Sequence, residues 1–333
     1  MARYSHRERI EIILAGEKPD RFAGSAWRHF FHMEHDAAQT AEAMVGFQRT
    51  FDWDFVKVNP RADYHVEDWG LRQEWSRNEF RKHRKTAFPV NRPEDWERIR
   101  PLSPAAPVLA EHLRTVALVR KGVGREVPVL MTVFSPLAIA GRMVPDGALL
   151  AAELRANPER IHRALRAITE TFRAYAAEIR NAGADGLFFA TTQWASRQTI
   201  SWAEYEAFGI PYDREVLRAT EADALNLLHV CGSENYLREL AAADYPCRLY
   251  NWDADDPTNL PLDKAYDALP GRTLAGGIDR NGWFLHATPQ EVVFQVQKLM
   301  RAHDGARVVL APGCAVEPEA PRENYRAFRE ALG

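Results

Sequence analysis

The sequence predicts an α/β fold, a single (β/α)8 TIM-type barrel spanning residues 1–333 with an N-terminal helical extension. Three observations carry that expectation. Short apolar runs of strand length alternate with helix-length amphipathic stretches along most of the chain, the pattern of a parallel sheet with crossover helices. The runs number eight, and eight such strands can close into a barrel that leaves no exposed edge. No Gly-x-Gly-x-x-Gly follows an early run, which disfavours a doubly wound open sheet.

The elements follow in order. The first residues, Met1 to Ile10, are charged and open an amphipathic helix, without the apolar stretch of a signal peptide. The expected strands are Arg21–Trp27, Asp54–Val58, Val127–Phe134, Asp185–Ala190, Leu225–Cys231, Arg248–Asp253, Thr273–Asp279 and Arg307–Ala311. Between them the spacing predicts helices over Met33–Thr50, Ala105–Lys121, Pro158–Ala182, Asp213–Glu221, Glu234–Ala243, Pro261–Leu269 and Pro289–His303. A last helix, Arg322–Leu332, closes the chain. Thr288-Pro289 reads as an N-cap with proline at the first helical position, and Asp213 as another helix start. Gly183 suits a left-handed helix end. The segment Asp63–Pro104 shows no clear strand and reads as an excursion of loop, hairpin and short helix over one barrel end.

Composition narrows the function classes. A net charge of −3 with no basic tract argues against nucleic acid, and no apolar run approaches the length of a membrane span. Three cysteines in a chain this size are not a disulfide framework, so a reducing cytoplasm is the expected compartment.

The chemistry-bearing residues collect at the expected carboxyl ends of the later strands, where barrel active sites lie. His229 and Cys231 are two apart in one strand and so share a face, and Cys314 arrives from the eighth strand in Pro312-Gly-Cys314. One imidazole and two thiols can hold zinc with a position left open. The alternative is a core histidine with two buried thiols. Asp253 is the first choice for a fourth ligand, with Glu317 and Glu234 behind it. It can equally be a hydrogen-bonding partner. Asp279 can orient substrate or His229, or cap a helix. Gln193, Trp194 and Arg197 follow the fourth strand as candidate substrate contacts, as do Lys57 and Asn59 after the second. Tyr64 and Glu67 give a weaker signal beside them. The stretch Trp27–Asp36, with Arg28, concentrates aromatics and histidines and reads as a helix start with a histidine-rich surface. Cys247 falls at the opposite strand end and is expected in the core.

Taken together, these residues resemble the uroporphyrinogen decarboxylase superfamily, and within it the zinc-dependent corrinoid or thiol methyltransferase branch. The matching pieces are Glu8-Arg-Ile with Glu17-Lys-Pro-Asp20-Arg21, Phe134-Ser-Pro136, Gly183-Ala-Asp185-Gly, His229-Val-Cys231-Gly232, Gly276-Gly-Ile-Asp279, Thr288-Pro289-Gln-Glu291, and Leu310-Ala-Pro-Gly-Cys314 with Pro321-Arg-Glu-Asn324. The His-x-Cys…Cys set is specific to that branch, and the resemblance implies that His229, Cys231 and Cys314 bind one Zn2+ per chain. Similarity to cobalamin-independent methionine synthases points to Asp253 as the carboxylate. True decarboxylases carry an Arg-x-x-x-Arg pattern after the first strand, for which only Arg28 stands here. Their aspartate after the second strand would have to be Asp63 or Asp68, in poor context.

The function expected is therefore methyl transfer to a zinc-activated thiol, from a methylated small molecule or a separate corrinoid protein, with Asp279 and Asp253 in catalytic roles. Homodimerisation is an implication of the resemblance. The alternatives are a metal-independent decarboxylase or lyase with Arg28 and Arg197 as anion clamps, or a non-catalytic barrel.

Overall fold

The structure, a computed structural model, describes residues 3–220 and 222–333. The strands are β1 (Ala23–Gly24), β2 (Val56–Val58), β3 (Arg72–Glu74), β4 (Arg84–Ala87), β5 (Val129–Phe134), β6 (Gly186–Ala190), β7 (Leu227–Val230), β8 (Leu249–Trp252), β9 (Thr273–Ile278) and β10 (Val308–Pro312). Eight of them form one parallel sheet in the order β1-β10-β9-β8-β7-β6-β5-β2, which is sequential around a ring. Between the ends of that list, Asp54 N–H donates to Gly24 O at 2.9 Å and Ser25 Oγ donates to Phe55 O at 2.8 Å, so β1 and β2 also meet. The barrel expectation holds. Its strands are buried on both faces and read as the near-continuous apolar runs of a parallel sheet.

The expected helices are present with shifted ends, each for a local reason. The helix expected from Met33 runs Ala37–Phe51, because Asp36 caps it by accepting from Ala38 N and Gln39 N. Thr288 caps Pro289–Ala302 in a box with Glu291, as its sequence implies. Asp213 is a correction. It lies inside helix Ile210–Arg218, which starts after Gly209 with a proline in its first turn, and its buried carboxylate accepts from Tyr205 and Tyr245 at 2.7 Å each. The expected end of that helix, Glu221, lies outside the described residues. Among the described residues four α-helices were not anticipated: Pro136–Met143, Gly147–Ala156, Trp202–Phe208 and Trp283–His286. The excursion is a short helix, Tyr64–Glu67, then the antiparallel hairpin β3–β4 and a 3-10 turn, Pro93–Arg98.

Helix His6–Ala15 packs at the amino-terminal side of the strands, where its basic residues meet two strand-start aspartates. Asp54 accepts from Arg9, Arg21 and the Gly24 N–H at 2.7–2.9 Å, and His6 Nδ1 lies 2.9 Å from it. Asp185 accepts from Arg7 at 2.8 Å and from the Val129 N–H at 2.7 Å. Among the described residues no helix is long and apolar enough to cross a membrane.

Candidate metal centre

β7 and β8 run in parallel register with His229 beside Asn251, so the two side chains share a face of the barrel wall. Their contact is direct: His229 Nδ1 lies 2.6 Å from Asn251 Oδ1. The amide's orientation is fixed, because its Nδ2 donates to Ala275 O at 2.8 Å and to Pro312 O at 3.1 Å. Oδ1 must then accept, Nδ1 of His229 must carry the proton, and Nε2 is left with its lone pair free.

Each cysteine stands beside a glycine the backbone requires. Gly232 follows Cys231 at φ +90°, turning the chain sharply out of β7. Gly313 precedes Cys314 where a Cβ would come within 2.6 Å of the Asp253 Cα and 2.9 Å of Trp252 O. The end of β10 thus comes close against the end of β8, and Cys314 is carried over β7. The ligand atoms of His229, Cys231 and Cys314 all lie within 4.8 Å of one another. The histidine is buried and both cysteines are half-buried. The Cys231 thiol beside it pulls Cys314 well below the ordinary thiol range against the cost of burial, and Cys314 with burial pushes Cys231 well above it.

These groups open on a cavity of about 490 Å³ walled by Trp27, Phe31, Phe134 and Phe188. Lys57, Asn59 and Gln193, named from the sequence, line it. Burial pushes the Lys57 ammonium down to about 8, although the charges of Cys314, Glu34 and Cys231 favour it. Other expected residues lie elsewhere. Trp194 is only 1% exposed and packs on Gly141, whose Cβ position would touch its ring. Arg28 donates to Glu79 at 2.5 Å, and Arg197 is spent on Glu239 and the face of Tyr236. Neither arginine lines the cavity. Asp279 accepts from Gly282 N at 2.8 Å in the turn ahead of helix Trp283–His286, whose N-cap is Gly282 and which takes no side-chain cap. The Asp253 carboxylate stands 3.6 Å from Arg280 Nε, outside the three-donor group. Glu317 lines the cavity, whereas Glu234 accepts from Gln198 at 3.2 Å. Cys247 is buried, which raises its thiol far above the ordinary range.

The cavity also holds residues that sequence reasoning passed over. Glu34, 0% exposed, accepts from His29 Nδ1 at 2.7 Å and Phe30 N at 2.9 Å. Burial opposes its ionisation, but His29 outweighs this and holds it at about 2. The histidine-rich stretch is therefore part of a cavity wall rather than a surface, although His35 is exposed. Asp63 pairs with Arg142 at 2.6 Å and Lys85 at 3.0 Å, whereas Asp68 caps the helix at Val108 and Leu109. Arg280 donates to Ala315 O at 3.2 Å beside the cysteines. Its position directly after Asp279 was the available signal.

The profile of the family described as uroporphyrinogen decarboxylase (URO-D) matches residues 19–333. The chain belongs to the uroporphyrinogen decarboxylase family. Within that family it is 27% identical over 251 residues to a uroporphyrinogen decarboxylase of Synechococcus sp. (strain CC9902), covering 72% of this chain and 67% of that one. A solved methyltransferase from Methanosarcina mazei superposes with a TM-score of 0.79 at 18% identity, over 99% of this chain and 98% of the other. A B12-independent methionine synthase from Shewanella sp. W3-18-1 gives a TM-score of 0.59 at 13% identity, over 93% and 94% of the two chains. Both structural likenesses concern the fold. The uroporphyrinogen decarboxylase barrel is thus the frame on which this chain carries its His-Cys-Cys group.

Proposed function

We propose that this chain is a zinc-dependent methyltransferase that moves a methyl group to a thiol, with His229, Cys231 and Cys314 as the protein's ligands. The observation that carries this reading is the convergence of three soft donors within 4.8 Å, one of them an imidazole whose tautomer presents a free lone pair. Three protein ligands suit a site that leaves a position for substrate. When bound, zinc supplies Lewis acidity that keeps a thiol deprotonated and nucleophilic near neutral pH.

The residues of this chain then have distinct tasks. Asn251 holds His229 in one tautomer. Trp27, Phe31 and Phe188 exclude water from the reacting atoms, and Arg280 holds the turn that presents Cys314 through its bond to Ala315 O. In the transfer, the sulfur lone pair forms a bond to the methyl carbon, and the bond from carbon to its carrier breaks with the electron pair leaving on the carrier. The carrier is a methylated small molecule or a separate corrinoid protein. The relative titled a methyltransferase favours this reading. The names of the curated relatives favour decarboxylation. Against it, the two arginines that would clamp carboxylates are spent on Glu79 and Glu239.

Metal analysis of tag-free protein purified without chelator tests the proposal. The expected result is about one zinc per chain, lost in both Cys231→Ala and Cys314→Ala. Well-folded protein that holds no zinc and takes none up would overturn it.

A further inference from the structure

A second feature of the cavity deepens the methyl-transfer reading and rests on it. At the end of β2, Lys57 and Asn59 are only 8% and 4% exposed, yet both line the cavity. The Lys57 ammonium donates to Asn59 Oδ1, its one hydrogen-bond acceptor among the described residues. That bond fixes the amide, and Asn59 Nδ2 is left buried without a partner. An ammonium has three N–H groups, so this wall carries unspent donors on two neighbouring side chains. Buried donors are ordinarily satisfied, and their concentration here points to a ligand that accepts.

The rest of the surroundings hold the charge in place without neutralising it. Lys57 Nζ lies 4.5 Å from the centre of the Phe188 ring and 5.9 Å from that of Trp27. Ring faces attract a cation but do not replace a hydrogen-bond acceptor. The other side of this arrangement reaches the metal centre, since the Phe188 ring is 5.2 Å from that of His229. The charged and titratable groups that act on Lys57 are Cys314 after β10, Glu34 from the segment after β1, and Cys231 after β7. Glu34 is already met by His29 and the Phe30 N–H. Arg280 acts on the two thiols from beyond β9; it donates to Ala315 O and ion-pairs with Asp253 at 3.6 Å and Glu317 at 3.8 Å, while its Nε makes no hydrogen bond among the described residues.

Charge counting gives this wall a role. A divalent cation with two thiolates and a neutral imidazole is neutral overall. An anionic sulfur added as a fourth donor leaves one negative charge in a half-enclosed cavity walled in part by Trp27, Phe31, Phe134 and Phe188, which is costly unless it is paired. A compact ammonium with free N–H groups meets that need. We propose that Lys57, with Asn59 Nδ2 beside it, makes the cavity selective for an anionic sulfur nucleophile over a neutral donor of similar size.

The test uses the full chain loaded with cobalt(II), whose absorption bands report directly on ligand binding. The wild type, Lys57→Met and Lys57→Arg are titrated with 2-mercaptoethanol and, separately, with imidazole. Lys57→Met is expected to weaken 2-mercaptoethanol binding about ten-fold, with imidazole changed less than about two-fold and the arginine variant recovering most of the loss. Equal weakening toward both ligands, or no change toward either, would overturn the proposal. Wild-type protein that takes up cobalt yet binds no thiol would sink the methyl-transfer reading itself, and this inference with it.

Discussion

Asn251 shows what one side chain contributes that a motif does not reveal. His229, Cys231 and Cys314 were legible because soft ligands beside glycines at strand ends are uncommon, and two turn geometries explain those glycines. Asn251 was passed over in favour of Asp253, the residue at the strand end. Its signal was an amide inside an apolar strand, which a buried position accepts only with partners in hand. Finding those partners required the register that sets β7 beside β8. Replacing it tests the role: Asn251→Leu should weaken metal affinity by roughly 10–100-fold, because Nδ1 of His229 loses its acceptor. Competition with a chromogenic chelator reads the effect. Unchanged affinity in a folded variant would show that His229 needs no such orientation.

Among the elements, helix Ile210–Arg218 illustrates a misplaced boundary with an energetic consequence. An aspartate before an apolar stretch reads as an N-cap, yet Asp213 points inward to Tyr205 and Tyr245. Only packing between distant segments decides that, so no local pattern shows it. Burial raises Asp213 to about 7 despite the two tyrosine donors. The folded state therefore holds a proton that the unfolded chain gives up across a window from the ordinary aspartate value of 3.8 to about 7. Its contribution to stability is fully present below that window and is lost as pH rises through it, at up to roughly 1.4 kcal/mol per pH unit. Asp213→Asn keeps an acceptor for the tyrosines and removes the titration. Its melting temperature relative to wild type should be higher at pH 8 than at pH 5. A difference that is the same at both pH values would exclude Asp213 as the source. The four unanticipated helices failed to register for a related reason. Pro136–Met143 follows β5 after a Ser-Pro start that was in view, but eight residues hold too few turns to show a period.

For the molecule as a whole, the barrel was legible because its strands are buried on both faces and alternate with helices. How the ring closes was not. β1 is two residues long, against the seven expected, and its contact with β2 relies on side chains rather than on a ladder. Asp54 is the centre of that contact. One buried carboxylate holds the Gly24 N–H, Arg9 and Arg21, while its own N–H holds Gly24 O. Arg9, Asp20 and Arg21 lock the N-terminal helix to the seam. Burial opposes ionisation of Asp54, but His6 and Arg21 outweigh it and hold the carboxyl below the usual range. A depressed carboxylate contributes stability above its unfolded pKa and loses it as pH falls through the folded one. Asp54→Ala leaves Arg9 and Arg21 short of a buried counter-charge and should cost about 3–5 kcal/mol at pH 7. The gap to wild type should narrow as pH falls below about 4, where the unfolded chain takes up a proton that the folded carboxylate still resists. Urea unfolding across that range measures both effects. If the midpoint at pH 7 were unchanged, the seam would be held by the backbone hydrogen bond and apolar packing, and the N-terminal helix would be dispensable to closure.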